Sequence, residues 1–193
     1  MMFEREHDFD AEIDAARRAV GRIVPVAIVK AIIAAESGFD PQAIRPEPSL
    51  RDASRGLMQV LYGTARRLGY RGPPEGLFEP AVNILYGVKL LAQLYQQLQD
   101  WPRVFSAYNG GLRPELGFGA PLTRSTRVCL ARDARGQCVK WRTARPGEFA
   151  NQDYVNRVRE LLQYFGKGRA AVPVTAAFWL VPLVGLAFLA QRG

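Results

Sequence analysis

The stretch VKAIIAAESGFDP, residues 29–41, decides how this chain is read. Val29, Ile32, Ile33 and Glu36 stand at i, i+3, i+4 and i+7, one face of a 3.6-residue period. The spacing predicts a helix whose apolar face ends in an acid. Pro25 suits the first turn of that helix, which runs to about Ser37, and Gly38 suits the residue that closes it. Burying a carboxylate is costly unless it is paired or kept protonated. Glu36 is therefore either a helix-end acid tipped into solvent or a working residue with a raised proton affinity.

Working outward, the pattern is mostly helical. Residues 10–21 read as a short amphipathic helix with Ile13, Ala16 and Val20 on one side. RPEPSLRDAS reads as loop. SRGLMQVLYGTARRLG enters a helix near Leu57, with Ser54 as its N-cap. After the loop RGPPEGLFEP, residues 80–99 form a long helix with apolar positions 84, 85, 88, 91 and 95. WPRVFSAYNGG is a shorter helix closing at Gly110, and residues 152–165 return to helix.

The period changes between Thr123 and Thr143. TRVCLARDARGQCVKWRT alternates Val128 and Leu130, then Val139 and Trp141, around the turn-like DARG, which predicts an inserted two-stranded hairpin. Cys129 and Cys138 fall one on each strand. Across a four-residue turn they share a face but stand one diagonal apart, which strains a bridge. They are read as two small core residues, with a bridge open only outside a reducing cytosol.

At 193 residues the chain can build one domain with a real core and an appendage. Its formal charge of +8 is uneven: residues 113–169 hold twelve Lys/Arg against five Asp/Glu. Such a surface suits nucleic acid, anionic lipid or an acidic polymer equally well. No nucleic-acid motif accompanies it, so nucleic acid is set aside as a partner. The opening MMFEREHDFDAEID is acidic and has no apolar h-region, unlike a Sec-type leader.

Residues 170–190, AAVPVTAAFWLVPLVGLAFLA, run without a charge between Lys167 and Arg169 on one side and Arg192 on the other. At 1.5 Å per residue this length spans a hydrocarbon core of roughly 30 Å, and Pro173 and Pro182 are tolerable in such a helix. A C-terminal transmembrane helix is expected there; a buried core helix or a partner-docking surface is the plainer alternative.

Four strings then fall in order: ESGFDP at 36–41, SRGLMQ at 54–59, NILYG at 83–87 and AYNGG at 107–111. Together they resemble the catalytic domain of the soluble lytic transglycosylases, in the goose-type lysozyme-like family that cuts peptidoglycan. The resemblance covers residues 10–165. It implies a mainly α, α+β lysozyme-like fold with a glycan groove, here carrying a small inserted β-hairpin. It implies cleavage of the β-1,4 bond between N-acetylmuramic acid and N-acetylglucosamine, with a 1,6-anhydromuramic product and no metal or organic cofactor.

The chemistry of the residues agrees with that family. A glycosidic oxygen must be protonated as its bond breaks, and an acid in an apolar pocket keeps its proton near neutral pH. Glu36 is expected to act as general acid and then as base for the attacking 6-hydroxyl. Ser37, after the acid, is expected to touch substrate or orient Glu36. Met58 and Gln59 match the family's Gly-Leu-Met-Gln, with the glutamine lining the groove, while Gly56 and Leu57 read as structural. Tyr108 and Asn109 match Ala-Tyr-Asn, where a phenol lies near the acid and an amide binds the sugar. Asn83 reads as structural. Tyr154 resembles the family's late tyrosine, but EFANQDY departs from the usual Glu-Thr before it and leaves Glu148 six residues upstream.

Two rivals stay in view. A lysozyme would use water as nucleophile and want a second carboxylate, for which Asp40, Glu47 and Asp52 stand in the loop after Glu36. A non-catalytic murein-binding module of a secretion apparatus would be expected to lose the acid. The expected partners are peptidoglycan strands, a membrane through the C-terminal helix, and other virion or secretion-apparatus proteins. The expected setting is membrane-anchored on the periplasmic, cell-wall side, carried by a phage virion or else part of a bacterial envelope. The hairpin's arginines are read as extending the groove, gripping an acidic wall, or simply as a solvated face.

Overall fold

The structure is a computed structural model that describes residues 3–166, so the apolar stretch 170–190 lies outside the described residues. Among the described residues no helix is long and apolar enough to cross a membrane.

The centre of the domain is α2 (Val26–Glu36), the helix of the opening stretch. Every residue of 28–35 is buried, so the helix is enclosed on all sides, not only along the predicted face. Its one buried cation, Lys30, is neutralised by Asp10 at 2.6 Å. Around it stand α1 (Asp10–Ala19), α4 (Pro80–Leu98), α5 (Trp101–Gly110) and α6 (Gln152–Gly166). Helix α1 packs on α4, α2 on α6, and α5 on both α4 and α6. All of these helices were expected from the sequence, α1, α2 and α4 from their apolar period. Asp100 accepts the backbone N–H of Arg103 at 2.9 Å and caps α5, with Pro102 in the first turn.

The region between α2 and α4 differs from its sequence reading. In place of a loop and a helix entering near Leu57, it forms a three-stranded antiparallel sheet ordered β1-β2-β3. Strand β1 (Ile44–Glu47) pairs with β2 (Asp52–Arg55) in the register Ile44↔Arg55 to Glu47↔Asp52. Strand β3 (Val60–Leu61) pairs with β2 in turn. The helix, α3 (Tyr62–Arg67), starts only after β3. Ser54 is thus a buried strand residue and caps nothing. The physical reason lies between the strands: Gly56 at φ 70° and Gln59 at φ 47° both take left-handed conformations that no helical run contains. The loop before α4 also holds a short 3-10 turn, Pro74–Phe78.

The inserted hairpin is present as β4 (Arg127–Arg132) and β5 (Cys138–Thr143). A disulfide joins Cys129 to Cys138, with their Cα atoms 5.8 Å apart. Both cysteines are half-buried on the hairpin, so the reading of two core residues is corrected. That reading assumed a four-residue turn and regular pairing. The connecting loop spans residues 133–137, closed by Asp133 N–H to the Gln137 carbonyl at 2.9 Å. Bulges shift the register between Cys129 and Arg132, so the regular pairing behind that reading does not hold where the bridge forms.

Candidate active site

Glu36 is the last residue of α2, half-buried where the oily helix meets the groove. Two successive left-handed residues, Gly38 at φ 62° and Phe39 at φ 70°, turn the chain away behind it. Positive φ is unusual for a phenylalanine, and tertiary packing holds it. The Phe39 ring is fully buried and lies 5.5 Å from Phe3 and 6.1 Å from Phe165, centroid to centroid. The acid is therefore seated on a turn wedged from behind.

Tyr154 completes its setting. The phenol at the start of α6 donates to Glu36 Oε1 at 2.6 Å. Glu36 Oε2 accepts no hydrogen bond among the described residues, and no buried side-chain oxygen there lacks a partner, so Oε2 reaches solvent. One oxygen is held and the other is presented. Burial raises the Glu36 pKa above the usual carboxylate value. The Tyr154 bond and the charges of Arg45 and Arg157 pull the other way, while Glu47 adds to the rise. Desolvation is the largest influence, so the acid holds its proton more tightly than an exposed glutamate.

Tyr108 stands on the other side. Its hydroxyl donates to the Met58 carbonyl at 2.8 Å, and burial together with the Glu36 charge pushes its pKa well up. Burial and the Glu36 charge do the same to Tyr154. Both phenols thus stay protonated donors over any working pH. Met58 itself is buried; its N–H donates to Asn83 Oδ1 at 2.8 Å. Its side chain packs against Gly87, where an added Cβ would lie 2.4 Å from the sulfur. The contribution of Met58 to the site is its backbone.

Asn83 staples this wall. Its Nδ2 donates to the carbonyls of Arg55 and Leu77, each at 2.7 Å, so a fully buried side chain holds three backbone groups. Gly56 sits against it, where a Cβ would approach Asn83 Nδ2 to 2.4 Å. Gln59 Nε2 donates to the carbonyls of Ala43 and Gly56, each at 3.0 Å, and fixes the turn between β2 and β3. Ser37 Oγ donates to the Leu57 carbonyl at 2.8 Å and also reaches the Ile33 carbonyl. In this structure Ser37 ties the end of α2 to the Gly56–Gln59 turn, a contact that positions the acid.

Asn109 is exposed at the last turn of α5. Its Oδ1 accepts from Asn151 Nδ2 at 3.0 Å. Asn151 also donates to the Ser106 carbonyl at 3.0 Å and accepts from Ser106 Oγ at 2.7 Å. This pair of residues was not anticipated. Asn151 immediately precedes α6, a place where asparagine ordinarily reads as a cap.

Of the candidate second carboxylates, Asp52 is occupied by the N–H groups of Gly63 and Ala53 and by Arg55. Asp40 is exposed and accepts from the Gln42 N–H. Glu47, paired with Arg45 at 2.9 Å, is the one whose charge acts on Glu36. Glu148 is clamped by Arg142 through both carboxylate oxygens and by the Arg145 N–H, which holds its pKa down at about 2. It anchors the hairpin base. No group of three or more His, Cys, Asp and Glu among the described residues forms a metal site.

Residues 15–116 match the family model described as the transglycosylase SLT domain, just over half of the chain. The chain belongs to that family. The SLT segment contains Glu36, Gln59, Tyr108 and Asn109, while the hairpin and Tyr154 follow it. Among solved structures, an inactive mutant of the lytic transglycosylase Slt from Pseudomonas aeruginosa is 22% identical with a TM-score of 0.57. It aligns with 86% of this chain and 24% of its own, and shows a shared fold. The 70 kDa soluble lytic transglycosylase of Escherichia coli is 29% identical over 51% of this chain and 16% of its own, with a TM-score of 0.45. A complex of the 70 kDa soluble lytic transglycosylase with bulgecin A is 28% identical over 57% and 18%, with a TM-score of 0.47. This SLT chain thus spans about a quarter or less of the length of these solved chains. No curated protein matches it significantly.

Proposed function

We propose that this SLT domain is a peptidoglycan lytic transglycosylase, with Glu36 as acid and then base. The observation that carries this is the division of labour on one carboxyl: Oε1 held by Tyr154, Oε2 open, and the pKa raised by burial. The protonated acid donates to the glycosidic oxygen between N-acetylmuramic acid and N-acetylglucosamine as that bond breaks. The resulting carboxylate then takes the proton of the muramic 6-hydroxyl as its oxygen attacks C1, which closes the 1,6-anhydro ring. Water is not consumed. Gln59 Oε1 and the Asn109 amide nitrogen, with their partner atoms turned toward backbone and Asn151, are the polar groups offered to the sugars.

The deciding measurement is mass spectrometry of purified sacculi digested by the full chain. Anhydro-ended muropeptides are expected, and Glu36→Gln is expected to release none. Reducing-end muropeptides in their place would refute the transglycosylase and favour a hydrolase that uses Glu47 to activate water.

For location, the reading is an enzyme anchored through residues 170–190, acting on the cell-wall side and carried by a phage particle to open the wall locally. The uncharged length of that stretch and its basic flanks support the anchor. Fractionating purified particles against host membranes tests it; recovery only in uninfected cell envelopes would point to a bacterial envelope enzyme.

A further inference from the structure

We propose that the disulfide-closed hairpin β4–β5 is a membrane contact, docking on the anionic headgroups of a lipid bilayer beside the glycan site. Three large apolar side chains of this hairpin face solvent: Val139 is 62% exposed, Leu130 49% and Trp141 44%. Single exposed apolar residues are ordinary; the weight here rests on the pair on β5, with Leu130 in the bulged part of β4. Val139 and Trp141 alternate along β5 and share a face. The Arg127 guanidinium lies over the Trp141 ring, 4.5 Å from its centroid, which places a cation on that face too.

The charge around the patch is one-sided. Residues 124–142 hold Arg124, Arg127, Arg132, Arg135, Lys140 and Arg142 against a single acid, Asp133. Asp133 is taken up by its own loop, accepting from the N–H groups of Arg135 and Gln137 at 2.9 Å. Arg142 is ion-paired with Glu148. The other five cations have no acidic partner among the described residues. Tryptophan, aliphatic side chains and unpaired cations on one rigid ribbon suit the interfacial layer of an anionic bilayer. A glycan surface asks for something else: an open aromatic face with amide or carboxylate groups beside it. Here one face of Trp141 is covered by Arg127, and its neighbours are aliphatic or basic.

The base of the ribbon is also closed. Ala144 N–H donates to the Thr126 carbonyl at 2.8 Å, Leu122 N–H to the Glu148 carbonyl at 2.7 Å, and Arg142 grips Glu148. This inference does not depend on the chemistry at Glu36, since neither measurement below needs turnover.

The test uses the full chain with two vesicle types, phosphatidylcholine alone and phosphatidylcholine mixed with phosphatidylglycerol, and with isolated sacculi. The stretch 170–190 is itself uncharged, but Lys167, Arg169 and Arg192 beside it and the charge of +8 add a preference of their own, so the hairpin's share is read as the difference between wild type and variant. The wild type is expected to favour the anionic vesicles by roughly tenfold or more at low salt. The triple variant Arg127→Gln, Arg132→Gln, Lys140→Gln should lose most of that preference and keep its binding to sacculi. A separate Val139→Ser variant should bind anionic vesicles several-fold more weakly. A wild type with no preference, or a triple variant that retains it, overturns the proposal. Any loss of sacculus binding in the triple variant also overturns it, in favour of a hairpin that grips the wall.

Discussion

Tyr154 and Glu36 are joined by a 2.6 Å hydrogen bond across 118 residues of chain, from the first turn of α6 to the last residue of α2. The bond opposes the effect of burial on the carboxyl and at the same time selects which oxygen faces the groove. Proton affinity and aim are thus set by different neighbours, and substitutions can separate them.

Replacing Glu36 by Gln keeps the shape and can still accept from Tyr154, but removes the acid. Murein turnover should fall by roughly a hundred- to ten-thousandfold. Stability should move the opposite way. Because burial raises the pKa of folded Glu36, its favourable share is full below the unfolded value of 4.5 and is lost as pH rises through the folded value. Thermal unfolding at pH 7 should show Glu36→Gln at least as stable as the parent, with the gap closing toward pH 4.

Tyr154→Phe removes the donor while burial persists. The pKa of Glu36 should rise further, so the alkaline limb of the pH–rate profile, where the acid loses its proton, should move to higher pH. The maximal rate should drop about tenfold as Oε1 loses its tether. An unmoved limb would show that the hydroxyl does not act on the working carboxyl.

Asn83→Ala leaves the Met58 N–H and the Arg55 and Leu77 carbonyls without their partner in a buried place. A loss of about 3 kcal/mol or more is expected in urea denaturation. Activity should fall with it, because the Met58 carbonyl that receives Tyr108 loses its support.

Glu148 behaves inversely to Glu36. With its pKa held at about 2, mainly by Arg142, its share of stability is present above 4.5 and is lost as pH falls through about 2. Between pH 5 and pH 2 the backbone N–H groups of Leu122 and Ala144 should lose exchange protection in the parent. Glu148→Gln should show that weak protection already at neutral pH.

The helices α1, α2 and α4 were legible because they bury apolar residues at helical spacing, and the order of the four motifs singled out Glu36 as the candidate acid. The small sheet was not. Strands β1 and β2 are IRPE and DASR, polar and only four residues each, with no alternation to betray a buried face. Ser54 resembled a cap because nothing local shows that Gly56 and Gln59 would turn left-handed under Asn83. The disulfide was obscured by the bulges, which depend on pairing and not on composition. Asn151 drew no notice, since its reach to Asn109 exists only once α5 and α6 pack together.

The ring cluster behind the acid has one further consequence. Phe3, Phe39 and Phe165 converge there, and Phe39 sits on the turn that seats Glu36. Gly166, beside Phe165, is the last described residue, so the described part of the chain ends next to the rings that back the turn behind Glu36. On the proposed reading of residues 170–190 as an anchor, the number of residues between Gly166 and that anchor would set how far Glu36 reaches into the wall. Inserting residues there is expected to change which depth of wall is cut and to leave the rate on soluble glycan fragments as it was.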